Sequence, residues 1–165
     1  MRQKRRVFFS FHFDNDVMRV QLVRNIGTIE ENKPVSANDW EQVKRSGDDA
    51  IRRWIDSQME GKSCVVVLVG SQTAFRPWVQ YEIVKGWNAG KGIVGIYIHG
   101  LKCARNGACT RGSNPFDSIF LGQNGPKLSS IVRCYDPPVD SAYSHIAANI
   151  EQWIEEAIAI RVQRR

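Results

Sequence analysis

The four cysteines, Cys64, Cys103, Cys109 and Cys134, include no Cys-x-x-Cys pair. The spacing of Cys103 and Cys109 suits neither a zinc knuckle nor a redox pair, and His99 four residues before Cys103 is one stray ligand. No metal site is expected, and reduced thiols in a cytoplasmic protein are the economical reading. Long apolar runs are missing too: none approaches the roughly 20 residues that cross a bilayer. The basic start passes directly into Val7–Phe13 without a long apolar segment and cleavage site, which argues against export.

Acidic residues are in the minority, 17 against 23 Lys and Arg, for a net charge of +6. The excess sits at the two ends, in Arg2, Lys4, Arg5 and Arg6 and in Arg161, Arg164 and Arg165. Without these seven, 16 basic and 17 acidic residues remain, so the body from Val7 to Ile160 is near −1. Solvated tails explain that distribution more simply than a surface for nucleic acid. Trp40, Trp54, Trp87 and Trp153 fall in separate segments without basic interleaving, so they read as packing residues and not as a stacking platform. A length of 165 residues with 42% hydrophobic content suits one domain over 1–165, with basic tails at 1–6 and 161–165.

What is present is an alternation of strands and helices. Val7–Phe11 (VFFSF), Cys64–Val69 (CVVVLV) and Ile93–Ile98 (IVGIYI) are short and apolar, the pattern of strands buried on both faces of a parallel sheet. Asp14 or Asp16 is expected to cap a first helix carrying Val17, Val20, Leu22 and Val23, stopped by Gly27. A second helix is expected from about Asp48 to Met59, with Ala50, Ile51, Trp54, Ile55 and Met59 on one face. Pro77 suits the first turn of a third helix ending near Gly90. Leu128–Tyr135 reads as a last strand, and about 141–161 as a last helix whose stripe includes Tyr143, Ile146, Ile150, Trp153 and Ile154. Thr28–Asn38 is polar and turn-rich, with at most a short strand, and 99–127 shows no clear element.

This order implies right-handed crossovers and a parallel α/β sheet with helices on both faces. Ligands of such sheets bind beyond the carboxyl ends of the strands. Two loops are therefore of interest, Phe11–Asp16 and Gly70–Trp78. Neither GxxxxGK[ST] nor GxGxxG follows the first strand, no carboxylate ends the central one, and no GxSxG elbow occurs. One carboxylate remains, Glu82, a helical turn beyond Trp78 and on the same face. An acid shielded beside an indole would have a raised pKa or face a developing cation. Spacing alone favours a solvated Glu82 and a Trp78 that anchors the core.

Phe8-Phe9-Ser10-Phe11 followed by an acid-bearing loop resembles the first box of Toll/interleukin-1 receptor (TIR) domains. Val65–Val69, Gly70-Ser71-Gln72-Thr73 and Arg76–Ile83 resemble the TIR segment bearing a Ser, a Trp and a Glu-aliphatic pair. More closely, RRVFFSFHF, GSQT with WVQYEI, and Asn114-Pro115-Phe116-Asp117 are similar to the TIR-like ThsB family of bacterial Thoeris antiphage systems, in ordered segments from about residue 5 to about residue 120.

The resemblance implies a flavodoxin-like TIR fold and cleavage of NAD between nicotinamide and ribose, with NAD as substrate and no separate cofactor. It implies Glu82 as the catalytic residue, since the Trp and Glu positions match. It implies an ADP-ribose-derived, cyclic nucleotide as the product, which diffuses to an antiphage effector and activates it. A phage-derived trigger and a second subunit completing the site are further partners it implies. Phe11 and His12 are then placed to contact the nucleotide, with Trp78 and Tyr81 beside them; Arg76 is either near substrate or a surface charge at a helix start. The competing readings are a non-enzymatic TIR scaffold for protein–protein signalling and, more weakly, nucleic-acid binding through the basic ends.

Overall fold

A computed structural model of the protein describes residues 5–26, 42–102 and 110–164. The apolar runs become strands because every side chain on them is wanted by a core. β1 (Val7–Ser10), β2 (Cys64–Val69) and β3 (Gly92–Tyr97) are joined by β4 (Arg133–Tyr135), all parallel, in the order β1-β2-β3-β4. Every residue of β2 and β3 is buried, as expected for central strands covered on both faces. Ser10 pairs with Val67, and Val69 with Tyr97, so the carboxyl ends of β1, β2 and β3 form one edge.

The helices are α1 (Phe13–Arg24), α2 (Asp48–Met59), α3 (Pro77–Asn88) and α4 (Ala142–Val162). Residues of α1 and α4, among them Val20, Val23, Ile146, Ile150 and Trp153, pack on one face with Val66, Leu68 and Ile96. Residues of α2 and α3, among them Ile51, Ile55, Val79 and Ile83, pack on the other face with Phe8, Val65 and Val67. This is the α/β layering of a flavodoxin-like TIR fold. Asp48 and Asp49 occupy the first turn of α2, where carboxylates favour the helix dipole. Pro77 stands at the first turn of α3, where its missing N–H costs nothing.

Several expectations are corrected. α1 is preceded by His12, whose side chain makes no cap, and Asp16 lies fully buried within the helix's first turns, so it is not the cap. Leu128–Tyr135 is not one strand: Leu128–Ser130 is a 3-10 turn and only Arg133–Tyr135 pairs with β3. Tyr143 is 47% exposed, off the core stripe that the rest of α4 provides. The 99–127 segment does hold an element, a 3-10 turn at Pro115–Ser118 capped by the Asn114 side chain, which accepts from the Phe116 N–H at 2.8 Å. Phe116 is fully buried, so the Asn-Pro-Phe-Asp sequence seats an aromatic ring in the second core. Gly27, Thr28–Asn38, Trp40, Cys103 and Cys109 lie outside the described residues.

Two arginines of the basic ends, Arg5 and Arg161, are engaged by the fold. Arg5 donates to both oxygens of Glu155 on α4, at 2.8 and 3.0 Å. Arg161 continues α4, donates to the Trp87 carbonyl at 3.0 Å and lies 4.6 Å from the centre of the Trp87 ring. Both guanidinium groups tie α4 or its neighbours down.

Candidate active site

Strand alternation decides what faces what at the sheet edge. Phe8 and Ser10 point to the α2–α3 side because they are two apart, and Phe11, after the strand, packs against the α1–α4 side. Ser10 is fully buried, and across from it α3 presents Glu82, only 8% exposed. The Ser10 hydroxyl donates to Glu82 Oε1 at 2.7 Å. Burial pushes the Glu82 carboxyl up to about 8, against a smaller downward pull from the Ser10 hydrogen bond. Glu82 is therefore neither solvated nor part of a surface ion pair.

The loop before α3 is built to hold that helix. Gly70 N–H donates to the Thr73 hydroxyl at 2.8 Å, and Arg76 N–H to the Thr73 carbonyl at 3.2 Å, which closes the turn. Gly70 itself is bracketed: a Cβ there would lie 2.1 Å from Asp16 Oδ2, and a Cβ on Gly112 would lie 2.2 Å from the Gly70 oxygen. Asp16 faces the buried Arg19 guanidinium at 3.4 Å, and Arg19 also donates to the Leu101 carbonyl at 3.0 Å. A buried ion pair thus abuts the end of β2, next to the turn that leads into Glu82's helix.

The other expected site residues are spread out. Trp78 and Tyr81 are half-buried and meet edge-on with centroids 5.7 Å apart. Both are engaged with α2: Arg52 lies 5.8 Å from the Trp78 ring centre, and the Tyr81 hydroxyl donates to Asp56 at 3.0 Å. His12 is half-buried at the start of α1. Arg76 folds back onto Gln72, donating to its carbonyl at 3.0 Å and its side-chain oxygen at 2.9 Å. The structure thus gathers Glu82 with Ser10, a residue the sequence reading passed over. The signal was available: in VFFS, Ser10 is the polar member of the face it shares with Phe8. The Gly90–Gly95 stretch spells GxGxxG, but it leads into β3 instead of from a strand into a helix. Among the described residues, no group of three or more His, Cys, Asp or Glu is placed to hold a metal ion.

The sequence profile for the TIR-like domain of the Thoeris protein ThsB matches residues 8–103. The chain belongs to this Thoeris ThsB TIR-like family. The match runs from the second residue of β1 to just beyond β3, taking in Ser10, the Gly70–Thr73 turn, Trp78 and Glu82, and stops short of β4 and α4. A relative in Bacillus cereus (strain MSX-D12), provisionally named cyclic ADP-D-ribose synthase ThsB1, is 39% identical over 123 residues, 72% of this chain. The chain spans 63% of that relative's length. No helix among the described residues is long and apolar enough to cross a membrane.

Proposed function

We propose that this ThsB-like TIR chain cleaves NAD at the nicotinamide–ribose bond and turns the ADP-ribose part into a cyclic nucleotide signal. The observation that carries this is Glu82, a buried carboxyl at the carboxyl edge of a parallel sheet, held by Ser10 at 2.7 Å. The relative's name, a cyclic ADP-D-ribose synthase, supports the same reaction class. In this reading the protein works in the cytoplasm and responds to a phage-derived trigger. A second copy of the chain completes the site, and the nucleotide reaches an antiphage effector by diffusion.

The chemistry suits one carboxylate. The nicotinamide of NAD is a cation, and when the glycosidic bond breaks the bonding pair neutralises its ring nitrogen, so no acid is needed to expel it. The ribose left behind carries oxocarbenium character at C1′, the type of transition state met in glycoside hydrolysis. An ionised Glu82 beside it stabilises that charge through a fixed electrostatic contact in a site shielded from water. Capture by an adenine nitrogen closes a ring, and capture by water releases ADP-ribose. Burial raises the Glu82 carboxyl in the empty site, while the positive nicotinamide ring favours its ionised form, so substrate binding and deprotonation are coupled.

The test is NAD turnover by purified protein, alone and with lysate of infected cells, with products identified by mass spectrometry. Nicotinamide release with a nucleotide of cyclic ADP-ribose mass is expected. Glu82→Gln should lower turnover by at least about a hundredfold with much smaller change in NAD affinity. Undiminished turnover in Glu82→Gln would sink this mechanism. Saturable partner binding indifferent to Glu82, with no nicotinamide released under any condition, would favour the scaffold reading.

A further inference from the structure

We infer that Ser10 is a positioning residue for the reaction: its hydroxyl fixes one oxygen of Glu82, directing the other toward substrate and setting the pH at which the carboxylate is available. This rests on the reading of Glu82 above.

The geometry is specific. β1 buries Val7, Phe8 and Ser10, and its Ser10 hydroxyl is a polar group set into the core face otherwise made by Phe8, Val65, Val67 and Ile83. A buried hydroxyl must find a partner, and Ser10 finds Glu82 Oε1 at 2.7 Å, the usual separation of an O–H···O hydrogen bond. Among the described residues the second oxygen, Oε2, makes no hydrogen bond with protein. One oxygen is thus anchored to the sheet and the other is left for ligand. The bond ties a helix residue to a strand residue, which holds the carboxylate plane before substrate arrives.

The charged groups on the neighbouring elements have partners of their own. On α2, Arg52 lies against Trp78 and Asp56 is held by Tyr81 at 3.0 Å and Lys85 at 3.8 Å. On α1, Asp16 faces Arg19 at 3.4 Å, and His12 precedes the helix. β2 and β3 contribute Val65, Val67, Val69 and Ile93 to that face, together with Tyr97, whose ring has the Arg111 guanidinium 4.4 Å from its centre. The influences on the Glu82 carboxyl are accordingly two, burial upward and the Ser10 hydroxyl downward. Removing the hydroxyl leaves burial unopposed.

The experiment is the pH dependence of kcat/KM for NAD cleavage in wild type, Ser10→Ala, Ser10→Thr and Glu82→Gln. Ser10→Ala should move the acid limb up by about one to two pH units, so that turnover near neutral pH falls about ten- to a hundredfold and recovers at alkaline pH. Ser10→Thr, which keeps the hydroxyl, should return the limb toward its wild-type position. A Ser10→Ala enzyme with an unmoved limb overturns the assignment, whether its activity is intact or lowered equally at every pH. Should Ser10→Ala not fold, Ser10→Cys carries the same expectation with a smaller shift, and an unmoved limb there overturns it too. Carboxyl 13C titration of Glu82, assigned by the signal lost in Glu82→Gln, should show the same upward move without substrate. Inactive Glu82→Gln with an unshifted Ser10 variant removes only Ser10's role, whereas active Glu82→Gln removes the reading beneath it.

Discussion

Glu82 is held in surroundings that oppose the charge its proposed chemistry requires, and that opposition should be measurable as stability. Its carboxyl is raised to about 8 in the folded chain, while an unfolded glutamate ionises near 4.5. Between these values the unfolded chain has lost a proton that the folded chain keeps, so stability falls as pH rises from about 4.5 to about 8 and then levels off. Glu82→Gln has no charge to bury and keeps an acceptor for Ser10. We therefore expect Glu82→Gln to match wild type near pH 4 and to be more stable by a few kcal/mol near pH 8. Urea unfolding at the two pH values reads this directly; equal midpoints at both would show that Glu82 is not effectively buried. Gly70 presents a second residue-scale constraint, because a Cβ would enter the Asp16 carboxylate. Gly70→Ala should cost about 1–3 kcal/mol and displace the turn into α3, lowering turnover more than NAD binding. The likeness to TIR motifs marks Glu82, whereas its spacing from Trp78 alone favours a solvated acid, and periodicity cannot say which buried polar group meets it. Ser10 is hard to single out in sequence because a serine in an apolar strand looks like an interruption, and its partner is 72 residues away.

At the scale of elements, β2, β3 and the main helices were legible because each carries its own signal, a run of β-branched residues or a 3.6-residue stripe. β4 was less so: Arg133–Tyr135 pairs with β3 across only three residues, and its flanking Leu128–Ser130 turn shares the same apolar content. By pattern alone Asp16 fits a cap, because acids are common before helices. Its burial against Arg19 and Gly70 depends on the whole sheet being in place. The fit of α4 to β3 is likewise a tertiary property. A Cβ on Gly92 would lie 2.7 Å from the Ile158 backbone nitrogen and 2.8 Å from the Ala157 carbonyl carbon. Backbone of a long helix cannot give way as a side-chain tip does. Gly92→Ala should therefore lower stability by about 1–3 kcal/mol, although alanine favours a strand no less than glycine does. Because Gly92 begins β3, at the opposite edge from Ser10 and Glu82, NAD affinity of the folded fraction should stay unchanged. Calorimetry and turnover on the same preparation would separate the two effects.

For the whole molecule, the net charge of +6 divides into parts with different physical meaning. A basic tail that only aids solubility would tolerate any neutral replacement. Arg161 does more, since it joins the end of α4 to α3 through the Trp87 carbonyl at 3.0 Å and the Trp87 ring at 4.6 Å. Arg5 joins β1's entry to α4 through Glu155, but that pair is open to water, with side chains 44% and 26% exposed. Salt screens an open pair strongly and a stacked, partly buried guanidinium much less. Arg161→Ala should thus cost about 1–2 kcal/mol at any ionic strength, seen as a lower Tm. Arg5→Ala should cost under about 1 kcal/mol, and less still in 1 M salt. A polyanion-binding role for these ends makes the opposite forecast: thermal stability untouched by either substitution, with a steeply salt-dependent affinity for duplex or single-stranded DNA lost from both. Melting curves and DNA titrations of the two variants at low and high salt therefore decide whether the arginines fasten the fold around Glu82 or reach outward from it.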